Sequence, residues 1–211
     1  MDLHNYLAYF TVAFMTITSP GAAILLAISN GMRYNKKAVL VSTLANALGL
    51  FILSTIAFLG VGALLKTSML FFIVLKITGA LYLIYLGIKL IIKKELVIHI
   101  GKKVKVKDIN YFKVAKTAFF VAISNPKPIL FFTAIFPLFM TPDHSLIGQF
   151  FIMTGTFLAI SIASLTTYGF LANKFSDYFA HTKRLSIFNK ITGLLFVGMG
   201  SAMALYSKKA N

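Results

Sequence analysis

The chain has 211 residues, 58% of them apolar, with 21 Lys and Arg against 5 Asp and Glu, a net charge of +16, and neither Cys nor Trp. Only 12% of the residues are charged, about half of the roughly 25% usual in soluble domains. With a mean hydropathy of +0.84, the composition excludes a soluble globule, a disordered chain, a disulfide scaffold and a zinc ribbon.

Six apolar runs, at 7–29, 38–65, 69–92, 114–140, 146–171 and 187–206, reach the roughly 20 residues that a bilayer span needs. They predict an all-α integral membrane protein of six transmembrane helices, here called spans one to six. Span one does not read as a secretory signal: no Lys or Arg precedes it, Pro20 and Gly21 interrupt it, and no small-residue cleavage pattern closes it. It is expected to remain in the mature protein.

Sixteen of the Lys and Arg residues lie in or beside the first, third and fifth connections, four lie on the other side, and Lys127 is at membrane depth. The positive-inside bias then puts the odd connections in the cytoplasm and both termini outside. The run Lys102, Lys103, Lys105 and Lys107 between spans three and four suits contact with anionic membrane lipids. Nucleic acid is not an expected partner, since that loop has only Tyr111 and Phe112 as aromatics and no folded domain to hold them.

The halves resemble each other. Lys76, Ile77, Thr78 and Gly79 of span three recur as Lys190, Ile191, Thr192 and Gly193 of span six, and Ser19, Pro20 and Gly21 of span one correspond to Asn125, Pro126 and Lys127 of span four. The chain divides into a three-helix repeat at 1–92, a basic loop at 93–113 and a second repeat at 114–211. Three spans per unit force the copies to enter the membrane in opposite directions, a 3+3 inverted repeat of the kind many secondary transporters share.

Proline inside an apolar helix removes a backbone hydrogen bond and clashes with the preceding turn. At membrane depth such breaks are tolerated where protein or a water-filled cavity satisfies the freed groups. Spans one and four are each broken near the middle, and matched interruptions in two halves point to a transporter's binding site. Lys127 lies about 13 residues, or about 20 Å, from either end of its run, and a charge there costs on the order of 2.5–3.5 kcal/mol. Two roles are open to it: pairing with a substrate carboxylate or exchanging a proton, and donating to carbonyls freed by Pro126 and Pro128.

The expected substrate site comprises Ser19, Pro20, Gly21, Asn46, Tyr82, Asn125, Pro126, Lys127 and Pro128. All five acids and all four histidines fall in or beside loops, so neither a metal cluster nor a cofactor is expected. Ser124 near Lys127 is too weak a pattern for an intramembrane hydrolase, and the chain does not read as an enzyme. Gly198 and Ala202 have the small-xxx-small spacing of a close helix contact or a homodimer.

Along nearly its whole length the chain resembles the LysE/RhtB family of amino-acid exporters. Thr18, Ser19, Pro20 and Gly21, with Ser29, Asn30, Gly31, Met32 and Arg33, are similar to that family's Pro-Gly-Pro helix and the basic turn after it. Gly79, Ala80, Leu81, Tyr82, Leu83 and Gly87 resemble its Gly-Ala-x-Tyr-Leu-x-x-x-Gly pattern. Asn125, Pro126, Lys127 and Pro128, followed by Phe136 and Pro137, resemble its Asn-Pro-Lys signature, and Gly193 to Gly198 its closing segment. The resemblance implies efflux of amino acids or close derivatives from a bacterial inner membrane, driven by the proton gradient. Three positions depart from the pattern. Ala22 and Ala23 stand where the family has the second proline and an asparagine, and Leu50 follows Gly49 where an acid is common.

With no acid at membrane depth, a cationic substrate would leave an ammonium unpaired, whereas a neutral zwitterion pairs its carboxylate with Lys127. Export of a neutral amino acid is therefore expected. The competing reading is a non-transporting membrane scaffold or assembly factor that uses the basic loop, which would have no need of the matched breaks.

Overall fold

Most helix starts among the described residues are set by short polar side chains that accept from the free amides of a first turn. The computed structural model describes residues 1–65, 77, 80–81, 84–85, 87–89, 91–92, 108–141, 144–172, 187, 190–191, 193–194, 196–198, 200–201 and 204. Asp2 accepts from the Asn5 amide at 2.8 Å and opens α1 (Leu3–Thr18). After a short break come α2 (Ala22–Arg33) and the long α3 (Lys36–Leu65). Asn110 accepts from the Lys113 amide at 2.9 Å and opens α4 (Tyr111–Ser124). A second break leads to α5 (Pro126–Leu130), which continues as a π-helical turn (Phe131–Ile135) and a 3-10 turn (Phe136–Phe139). Ser145 then caps α6 (Leu146–Phe170), accepting from the Gly148 amide at 3.2 Å. The described positions between 77 and 92 and between 187 and 204 are also helical, and no strand occurs among the described residues.

Lys36–Gly60 of α3 and all of α6 are long and apolar enough to cross a membrane alone. α1 with α2, and α4 with the helical run to Phe139, pass the same test as pairs bent by 50° and 43°. Spans one, two, four and five thus have counterparts in the fold, two of them broken as expected. Most of span three, nearly half of span six and the basic run 102–107 lie outside the described residues.

Both breaks have one cause. A residue preceding proline is pushed out of the helical region by the proline ring. Ser19, before Pro20, has φ −64° and ψ 126°, and Asn125, before Pro126, has φ −76° and ψ 120°. The two residues adopt nearly the same backbone.

The broken and straight helices pair side by side. Tyr6 Oη lies 3.2 Å from Thr156 Oγ1, and Tyr168 Oη donates to the Thr18 carbonyl at 3.2 Å. Those two links share a sequence separation of 150, so α1 and α6 run in the same direction. α3 and α4 likewise run together, tied at one end by Asn35 Nδ2 donating to Tyr111 Oη at 3.1 Å. Further along, a Cβ at Gly49 would lie 2.9 Å from Ala122 Cβ, which shows how closely the two backbones approach. The Lys37 ammonium lies 5.0 Å from the Tyr111 ring and that of Lys36 5.5 Å from the Phe170 ring, so the adjoining ends of α3, α4 and α6 gather at one basic end of the bundle.

Three apolar clusters result among the described residues, the smallest being Ala38, Ile109 and Val114. Away from the basic end, Tyr9, Phe131, Phe132, Phe136, Phe150 and Phe157 pack into an aromatic cluster, many of its rings tilted or edge to face. Towards the basic end, Ile24, Ala27 and Ile28 of α2 meet Leu165 and Ala172. Between spans three and six, a Cβ at Gly87 would lie 2.5 Å from the Gly193 carbonyl, and a Cβ at Gly193 equally close to the Gly87 carbonyl. Close contact on span six was expected at Gly198 and Ala202. Among the described residues a Cβ at Gly198 would meet nothing within 4 Å, so its face is left to the homodimer alternative; Ala202 is outside the described residues, and Gly193 and Gly200 make the close approach to span three.

Candidate functional site

The two breaks meet. Because Ser19 has left the helical region, its carbonyl is free of the α1 ladder, at an end where aligned peptide dipoles leave partial negative charge. Lys127, two residues past the second break, donates from Nζ to that carbonyl at 2.8 Å. Its backbone is placed by Asn125, whose Oδ1 accepts from the Lys127 amide at 3.1 Å. Gly21 faces the lysine stem: a Cβ there would lie 3.9 Å from both Lys127 Cδ and Nζ, an ordinary contact distance. The sequence pointed to carbonyls that Pro126 and Pro128 free, but the carbonyl taken is one on the opposite break.

A cavity opens beside this contact, with Ser19, Gly21, Asn46, Asn125, Lys127 and Pro128 on its wall. It offers about 50 Å³ to the centres of water molecules, room for about three to five waters. Leu50, Ala122 and Phe157, from the aromatic-side core, and Ile24 and Leu165, from the basic-side core, complete much of the lining. The site is therefore a small polar pocket held between two apolar layers. In it, carboxamides and hydroxyls can orient a ligand and one ammonium can hold an anionic group.

Of the nine expected site residues, six line this cavity. Pro20 is buried beside it but is not part of the wall, and Pro126 is exposed; both act on the site by breaking the backbone. Tyr82 lies outside the described residues.

The comparisons with known proteins can be set against this geometry. The LysE type translocator family model matches residues 14–207. The chain belongs to the LysE type translocator family. It is similar to the homoserine/homoserine lactone efflux protein of Salmonella typhimurium, 28% identical over 97% of this chain and 98% of the relative. It is also similar to a leucine efflux protein of the same organism, 28% identical over 95% and 94%, and to a membrane protein of Vibrio cholerae, 29% identical over 97% and 98%. No solved structure matches.

A LysE type translocator with these apolar helices is a multi-pass membrane protein, and its family is one of transporters rather than enzymes. Two polar lining residues of this translocator escape a sequence reading. Thr16 lies one turn before Ser19 on the same helical face, and its Oγ1 is buried with no hydrogen-bond partner among the described residues. Ser161 is a small hydroxyl in the middle of the apolar α6. The spacing of Thr16 to Ser19 is a usable signal, because residues three apart share a helix face. Ser161 has no comparable signal.

Proposed function

We propose that this protein is a secondary transporter that exports a neutral amino acid or close derivative across a bacterial inner membrane, coupled to protons. One observation carries the reading: the Lys127 ammonium on the Ser19 carbonyl joins two matched helix breaks at a polar cavity. Paired discontinuous helices whose ends converge on one point are how many secondary transporters build a mid-membrane site.

The reading includes six spans arranged as a 3+3 inverted repeat, with repeats at 1–92 and 114–211 joined by the basic loop 93–113. Three observations support it: the matching backbone at Ser19 and Asn125, the shared direction of α1 with α6 and of α3 with α4, and the reciprocal approach of Gly87 and Gly193. The basic end is cytoplasmic and both termini are outside, following the charge bias.

Substrate choice follows from charge. The cavity lining contains Lys127 and no carboxylate among the described residues, so a zwitterion satisfies the site through its carboxylate while a second positive charge has no partner there. Relatives named for efflux of homoserine and homoserine lactone and of leucine support a small amino acid or close derivative as the substrate class. Ser19, Gly21, Asn46, Asn125, Lys127 and Pro128 form the site, with Thr16 and Ser161 added from the fold. Protons are the coupling ion, with Lys127 as the group that gains and loses one.

The test is counterflow of a labelled amino-acid panel in proteoliposomes, with and without an imposed pH gradient. Gradient-stimulated movement of homoserine, threonine or leucine is expected. Preference for lysine or arginine overturns the substrate assignment, and movement indifferent to the pH gradient overturns the coupling.

A further inference from the structure

We propose that the two half-helices following the breaks are the two gates of the transport path, and that their seals are chemically different. α2 closes the cytoplasmic side through a glycine contact on α6. The helical segment from Pro126 to Phe139 closes the outer side through an aromatic layer. This rests on the transporter reading above.

The cavity lies between these seals. Ile24 and Leu165 belong both to its lining and to the α2–α6 core, while Phe157 belongs both to its lining and to the aromatic cluster. A solute leaving towards the basic end must part α2 from α6, and one leaving towards the other end must part the aromatic layer.

The inner seal depends on the absence of side chains. A Cβ at Gly31 would run into the Gly169 carbonyl and lie 2.8 Å from Ala172 Cβ, and a Cβ at Gly169 would meet Val39 and come 3.2 Å from the Ala27 carbonyl. Backbone thus packs on backbone, and one added methyl keeps α2 from seating. The outer seal is the reverse, made of bulk. Phe131 and Phe132 are fully buried, with ring centroids 4.8 Å and 4.7 Å from Phe157, and Tyr9 anchors the layer by donating from Oη to the Met153 carbonyl at 2.7 Å.

The outer segment also carries a backbone feature suited to movement. From Phe131 to Ile135 it is π-helical, with the Phe136 amide donating to the Phe131 carbonyl, and it then tightens to a 3-10 turn. Short π turns within helices recur at functional sites. A return of this turn to α-helical register rotates the rings that follow it, so the layer can open without moving the Asn125 and Lys127 end of the segment.

The natural chain has no Cys, so a single Ser161→Cys places the sole thiol in the cavity. Its labelling by a membrane-impermeant methanethiosulfonate bearing a sulfonate is followed separately from each side of the membrane and scored per folded molecule. Lys116→Cys, exposed at the basic end, identifies that side in the same preparations. Phe132→Ala is expected to raise labelling of the cavity thiol at least tenfold from the side opposite Lys116. Gly31→Ala is expected to raise it at least tenfold from the Lys116 side. Phe136→Leu and Ile28→Ala, which thin the two seals without inserting an atom, are expected to act in the same directions and stand in if either first variant does not fold. A rise from the wrong side, or no rise from either side in folded protein, overturns the assignment. Labelling needs no transported solute, so failure here is separate from failure of the counterflow test.

Discussion

The Lys127 ammonium donates to the Ser19 carbonyl at 2.8 Å, across 108 residues of chain. Each group lowers the desolvation cost of the other, since a carbonyl and an ammonium both lose solvation away from water. Each break supplies what the other lacks: α1 ends in free carbonyls with partial negative charge, and the second break delivers a positive charge to them. A hydrogen bond to a neutral carbonyl leaves the net charge of the ammonium in place, so it remains able to attract a carboxylate.

Lys127→Met keeps an apolar stem of similar length and removes the charge. Transport of neutral amino acids is expected to fall at least tenfold while the yield of folded protein in detergent stays near that of the wild type. A large loss of folded protein would show that the lysine serves structure instead. Lys127→Arg keeps the charge but replaces a compact ammonium with a planar, wider group, and is expected to restore only part of the activity.

Asn125 acts on the site through the Lys127 backbone. Its Oδ1 caps the first turn of α5, and replacement of such a cap by alanine costs about 1 kcal/mol. Asn125→Ala is expected to lower thermal stability by that order and to raise KM for transport as the lysine loses its fixed position. Asn125→Asp retains an accepting oxygen and is expected to keep the stability. Melting curves with transport assays on both variants separate capping from any direct contact with substrate.

Much of this arrangement is legible in the chain. Ser19-Pro20 and Asn125-Pro126 announce their breaks because the effect of proline on the preceding residue is local, and Lys127 stands out because a charge in an apolar run has few explanations. Asp2, Asn110 and Ser145 likewise act within one turn of their own positions. The partner of Lys127 was not legible, since it depends on how two halves pack across the membrane. For the same reason Ser161 has no signal in the chain, and the small-residue spacing at Gly198 does not reveal that the face packed on span three holds Gly193 and Gly200.

The lysine-rich run 102–107 distinguishes a transporter from a scaffold. Lys93, Lys94, Lys113 and Lys116 remain when it is removed and preserve the charge bias, so orientation and transport should stay within about twofold of wild type. Deletion of 102–107 with counterflow as the readout is the check. Abolished function with correct insertion would favour a docking role for the loop.

Glycines in this chain fall into two groups that should respond oppositely to alanine. At Gly87 and Gly193 a Cβ meets the opposing carbonyl at 2.5 Å, while at Gly60 and Gly155 nothing lies within 4 Å. Gly193→Ala must therefore push the helices apart, and overpacking of this kind costs about 1–3 kcal/mol. Gly60→Ala and Gly155→Ala add a methyl to open helix surface and remove backbone freedom from the unfolded chain, a gain of roughly 0.4–1 kcal/mol. Melting temperatures in one detergent should thus fall for Gly193→Ala and hold or rise for the other two. A stable Gly193→Ala would mean that spans three and six do not approach through their glycines, and would remove the Gly87–Gly193 contact as support for the inverted repeat.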